Sequence, residues 1–174
     1  MLLFTRNFKK NQAVELPPSY LNGQDVGVMK DMKYGFFTVG DVGCGALALY
    51  NAMIYKGLEP SLPKIIRYLE RTSAPFGAKF GTFPYAMGIA LRRFGIKNKM
   101  TFSFKKLSEA DACLIAYWVK RPIFSGGHFV FSVKQEDGTY MVYNRWSNVS
   151  EPRNCKTLRE VVKKHCLMVG YILK

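Results

Sequence analysis

The sequence predicts an α+β fold, on three observations. Capped patterns of helical period fall before about residue 100, in "CGALALYNAMIYK", "SLPKIIRYLERT" and "TFPYAMGIALRRFG". Runs that read as strands follow: "LIAYWV", "HFVFSVK", "TYMVYN" and "LMVGYIL". The second and third flank Asp137-Gly138, a dipeptide suited to the positive φ of a hairpin turn. Helices first and an antiparallel sheet afterwards argue against a doubly wound parallel sheet, whose strands and helices alternate.

The elements follow in order. A single domain spans 1–174, with an N-terminal arm over 1–35, a helical half over 36–100 and a sheet half over 101–174. The arm has weak periodicity and many turn formers ("ELPPSYLNGQDVG"), so it reads as extended or irregular chain. Phe36 to Val39 suits a short strand, and Gly40 to Gly43 a turn. From Cys44 to Lys56, Leu47, Tyr50 and Ile54 share a face that Ala46, Leu49 and Met53 widen. A helix this apolar is buried on most sides. Gly57 stops it. Ser61 and Pro63 suit the start of the next helix, and Thr82 and Pro84 the start of the third, which Gly95 ends. "KLSEADACL" reads as a short helix with Ser108 and Asp111 at capping-box spacing. Thr157 and Glu160 repeat that spacing before a last helix.

The chain has 174 residues, 48% hydrophobic, enough for a substantial core. Its net charge of +14 favours anionic partners or a well-solvated basic surface. The charges are dispersed in short pairs such as Lys9-Lys10, Arg92-Arg93 and Lys105-Lys106. No arginine-rich arm, zinc-finger spacing or ribonucleoprotein motif accompanies them, which argues against nucleic acid. Cys44, Cys113, Cys155 and Cys166 form no C-x-x-C pair. Cys113 and Cys166 sit in apolar runs and read as core, Cys155 as polar loop. Two distant histidines and scattered acids offer no metal ligand set, and no cofactor is implied. "MLLFTRNFKK" lacks a signal-peptide core, and no apolar run reaches membrane-spanning length, so a cytoplasmic location is the default expectation and a secreted protein trimmed of its signal peptide the alternative.

Three residues could carry chemistry. Cys44 begins a helix, where backbone N–H groups and the dipole stabilise a thiolate and lower its pKa. Gly43 and Gly45 flank it and would let a substrate backbone approach. His128 follows Gly127 at the start of a strand. If the hairpin pairs about Asp137-Gly138, Asn144 reaches the same open end as His128, close enough to contact it given a small offset or bulge. An Asn there can accept from the imidazole N–H and fix its tautomer, and Trp146 could shield that contact from water. Each residue also has a structural reading: small core residue, strand-end residue, strand terminator and gap-filler.

"GCGALALYNAMIYKG", "GTFPYAMGIALRRFGIK" and "GGHFVFSVKQEDGTYMVYNRWSN" together resemble the papain-like cysteine peptidases, and most of all the branch that processes bacteriocin leaders at double-glycine sites. The resemblance covers roughly Gly40 to Ser147. It implies a papain-like fold in which the nucleophile helix packs on the antiparallel sheet. By it, Cys44 is the nucleophile, His128 the general base and Asn144 the orienting residue. The family pattern also places a Gln five or six residues before the nucleophile, to complete the oxyanion hole. Val39 and Thr38 stand there instead, leaving Thr38 or Gln24 as candidate donors beside the Cys44 N–H. Asp41, three residues before Cys44, would oppose a thiolate unless it points away.

The leading expectation is a cysteine hydrolase that cleaves a peptide or related amide bond through an acyl-enzyme, with a peptide or protein substrate. A weakly active or inactive peptide-binding domain of the same fold is the first alternative. A basic module for nucleic acid or membrane surfaces is the second. The sequence leaves the oligomeric state open.

Overall fold

The computed structural model describes residues 2–119, 126–163 and 165–174. Helix α1 spans Leu2–Asn11, where an irregular arm was expected. Its helicity comes from docking, since an isolated helix of this length is marginal in water. Asn7 Nδ2 donates to the Gly35 carbonyl and to Glu70, each at 2.8 Å. Asn11 exchanges two bonds with the Lys33 backbone. The rest of the arm is irregular apart from a 3-10 turn at Val28–Asp31.

Strands β1 (Lys33–Tyr34) and β2 (Phe37–Thr38) make a small hairpin. The expected turn after it is one helical turn, α2 (Val39–Val42). Helix α3 runs Cys44–Tyr55 and is buried at every position from Cys44 to Met53, as its apolar circumference requires. Helix α4 (Leu62–Thr72) opens with Pro63 in its first turn, while the Ser61 side chain makes no cap bond. Helix α5 (Met87–Arg93) follows a 3-10 turn at Pro84–Ala86. Thr82 is no cap there, because its hydroxyl is buried against Tyr34 Oη at 2.7 Å.

Among the described residues, six strands form one antiparallel sheet. They are β3 (Asn98–Thr101), β4 (Ala112–Val119), β5 (Gly126–Lys134), β6 (Tyr140–Tyr143), β7 (Arg153–Cys155) and β8 (Leu167–Leu173), in the order β3-β8-β4-β5-β6-β7. Helix α6 (Phe104–Ser108) is capped by Ser103, so Ser108 ends this helix where it was expected to begin one. Helix α7 (Leu158–Val162) starts after Thr157 as expected.

The central strand β4 explains its own sequence. Leu114 and Ala116 face a core shared with α3 and α4, while Cys113, Ile115 and Tyr117 face a second core with α6 and α7. A strand buried on both faces reads as a continuous apolar run. Cys155 belongs to the second core as part of β7, not to a loop, and Cys166 is exposed, not core. All four cysteines are free thiols. Among the described residues, no helix is long and apolar enough to cross a membrane.

Candidate active site around Cys44, His128 and Asn144

The approach to Cys44 is shaped by a reciprocal cap on α2. Asp41 N donates to Thr38 Oγ1 at 3.3 Å, while Thr38 N and Oγ1 donate to Asp41 Oδ2 at 3.0 and 2.8 Å. This box satisfies donors that a helix start leaves unpaired. It also turns the Asp41 carboxylate onto Thr38. Thr38 is thereby a helix cap, not the oxyanion donor that the sequence suggested.

Cys44 is the first residue of α3 and 7% exposed. Burial pushes its thiol up. The backbone N–H groups of Phe129, Gly45 and Cys44 itself act the other way. The helix start does favour the thiolate as expected, but desolvation exceeds it, so the expected net lowering is not found. The link to Phe129 matters, because Phe129 follows His128 on β5.

The flanking glycines are required by the protein's own packing. A Cβ at Gly45 would lie 2.5 Å from Thr82 Oγ1, and one at Gly43 2.5 Å from Val39 Cγ1. Gly127 differs, being exposed at the start of β5 with Met168 Sδ 3.3 Å from where a Cβ would stand.

The hairpin brings His128 and Asn144 together. Strands β5 and β6 pair from Lys134↔Tyr140 to Phe131↔Tyr143, and the ladder ends there. Asn144 then enters the left-handed region at φ 58, which Asn tolerates better than most residues. The turn carries its backbone carbonyl to 2.6 Å from His128 Nε2. This corrects the expected contact, since the carbonyl and not the side-chain amide meets the ring. A carbonyl only accepts, so Nε2 is the protonated nitrogen and Nδ1 the basic one in the neutral ring.

The Asn144 side chain anchors the loop instead. Its Oδ1 accepts from Gln24 N at 3.0 Å, and its Nδ2 donates to Gln24 Oε1 and to the Phe129 carbonyl, both at 3.3 Å. Gln24 Nε2 in turn donates to the Gly40 carbonyl at 2.9 Å. Gln24 is therefore a buried tie between the Asn144 turn and the approach to Cys44, with one amide N–H given to the Gly40 carbonyl. Asn22 Oδ1 accepts from Asn144 N at 2.6 Å, and Asn51 of α3 exchanges two 2.8 Å bonds with the Leu21 backbone. The irregular arm thus supplies the frame of the site.

Trp146 is 37% exposed and carries the guanidiniums of Arg145 and Arg153, 5.4 and 4.9 Å from its ring, in place of the expected role as a water shield. The ring against His128 is Tyr117, its cross-strand partner on β4, edge-on at 5.6 Å. Arg145 Nη1 donates to Tyr117 Oη at 3.0 Å, and His165 stacks on Tyr117 at 5.9 Å. Sequence reasoning missed Tyr117 because the pairing of β4 with β5 crosses 120–125 and has no turn dipeptide to set its register. Among the described residues, no group of three or more His, Cys, Asp or Glu side chains is placed to hold a metal ion.

No protein-family model matches the chain, and no curated protein matches it in sequence. Solved structures do. The peptidase domain of Streptococcus ComA, a bifunctional ABC transporter involved in quorum sensing, matches with a TM-score of 0.55 at 12% identity, over 88% of this chain and 97% of that one. A double-glycine-motif protease from an AMS/PCAT transporter, solved with its leader peptide, gives 0.49 at 18% identity, over 75% and 83%. At such identities the likeness concerns the fold. N-terminal helices ahead of a six-stranded antiparallel sheet give the chain the papain-like α+β fold of the ComA peptidase domain.

Proposed function

We propose that the protein is a cysteine hydrolase acting on a peptide or related amide bond, with Cys44 as nucleophile, His128 as general base and Asn144 as positioning residue. The observation that carries this reading is the His128–Asn144 contact, which protonates Nε2 and leaves Nδ1 to act as base. Nδ1 takes the Cys44 proton, and the thiolate attacks the substrate carbonyl. The imidazolium then protonates the leaving amine, and a thioester remains. Water, deprotonated by Nδ1, opens the thioester to the acid and restores the thiol. Burial opposes the thiolate, so the imidazolium has to stabilise it as an ion pair.

The N–H groups at the start of α3 offer part of an oxyanion site. The Thr38 hydroxyl is committed to Asp41 and one Gln24 amide N–H to the Gly40 carbonyl, and loss of one donor costs about 10²–10³ in turnover. That observation favours a second reading, a peptide-binding domain with little or no catalysis.

The test is the alkylation rate of Cys44 near neutral pH, followed by mass spectrometry. The hydrolase requires it to exceed that of free cysteine by about tenfold or more and to fall in His128→Ala. A rate no faster than free cysteine overturns the enzyme reading. Peptide affinity retained in Cys44→Ala, with no cleavage by the native chain, would establish the second.

A further inference from the structure

The surface between α4 and β4 has a composition of its own. From Arg71 to Ser108 there is no Asp or Glu, while eight Lys and Arg occur. The same stretch carries exposed large apolar side chains: Phe76 at 79%, Phe80 at 70%, Phe102 at 60% and Phe83 at 50%. Phe36, 74% exposed, joins them from the β1–β2 turn, where its N–H donates to the Gly77 carbonyl at 2.9 Å. Phe76 and Phe80 meet edge-on at 6.2 Å, and Lys79 Nζ stands 5.8 Å from the Phe80 ring. Tyr85 bridges Phe83 and Phe102 at 5.5 and 6.5 Å.

The backbone holds this display in place. Phe76, Gly77 and Ala78 are all left-handed, at φ 53, 64 and 69. Two of the three carry a Cβ and adopt this conformation at a cost in strain. Ala78 is fully buried and anchors the loop, while Phe76 is thrown outward.

We propose that this face docks the protein on a bilayer surface rich in anionic lipid. Aromatic side chains that protrude this far fit the headgroup boundary, where rings bury and cations meet lipid charge. A groove for a peptide would hold its lining side chains partly covered before the peptide arrives. The stretch itself carries eight cations and no acid, which suits an anionic partner. The inference is independent of the Cys44 chemistry.

The experiment is co-sedimentation of the full chain with phosphatidylcholine vesicles, with and without phosphatidylserine. Partitioning is expected to be about tenfold stronger on the anionic vesicles and to weaken as salt rises from about 0.05 to about 0.5 M. Phe76→Ser/Phe80→Ser, at exposed positions, should lower it about tenfold with an unchanged unfolding midpoint. Cys44→Ala should partition as the native chain does. Equal binding to both vesicle types, or full binding by the double variant, overturns the proposal. So does a double variant that keeps vesicle binding but loses peptide binding, which would make the face a peptide site.

Discussion

His128 Nε2 lies 2.6 Å from the backbone carbonyl of Asn144. The ring is therefore held by a group that no side-chain substitution at 144 deletes. What a substitution can disturb is the left-handed turn that aims the carbonyl. Asn144→Gly keeps that turn accessible, whereas Asn144→Ala pays the left-handed penalty of about 1–2 kcal/mol. Urea unfolding should show Ala as the less stable of the two by about that amount. The pH profile of Cys44 alkylation should stay closer to native in Gly than in Ala.

Gln24→Ala distinguishes a tie from an oxyanion donor. Its buried amide links Asn144 to the Gly40 carbonyl, and leaving those groups unpaired should cost about 2 kcal/mol of stability. Thioester formation should slow only as far as the site loosens. A loss of about 10²–10³ in turnover with stability unchanged would instead mark a direct transition-state contact.

Gly45→Ala should destabilise the protein by about 1–3 kcal/mol, because the new Cβ overpacks a closed site. It would fall 2.5 Å from Thr82 Oγ1, itself bonded to Tyr34. The measurement is the thermal midpoint.

Glu70 gives a pH dependence of defined sign. Its carboxyl is buried and pushed above the ordinary value of 4.5 by desolvation, against the opposing bonds from Asn7 and Gly35 and the charge of Arg71. The folded state holds this proton to higher pH than the unfolded chain, so its contribution to stability falls as pH rises from about 4.5 through the folded value. Glu70→Gln keeps an acceptor for Asn7 and Gly35 and has no charge to bury. Its advantage over the native chain should grow across that window in denaturant titrations. A constant difference with pH would contradict the assignment.

Much of the fold was legible because burial leaves its period in the sequence. The apolar circumference of α3 and the Asp137-Gly138 hairpin follow from local rules. Helix α1 was not legible, since its order comes from Asn7 and Asn11 reaching chain more than twenty residues away. The edge strands β3 and β7 are too short to carry a period. At the site, the pairing of His128 with Asn144 could be anticipated from hairpin arithmetic. That the carbonyl makes the contact could not, because it depends on one backbone torsion. The partners of Thr38 and Gln24 were out of reach for a related reason: the Asp41 cap and the tie from Asn144 to Gly40 exist only in the folded chain.

The arm that frames the site also sets when the site can exist. Asn22 and Gln24 leave the ribosome ahead of their partners Asn144, Val149 and Glu151, which follow 120 to 129 residues later. At typical synthesis rates of about 5–20 residues per second, that delay is on the order of ten seconds. Helix α3 can pack on α4 meanwhile, but the His128–Asn144 contact waits until the hairpin and the loop beyond it have emerged. A nascent chain would thus hold Cys44 at the start of α3 well before the His128–Asn144 contact can form, so the frame of the site closes late relative to the helix it surrounds.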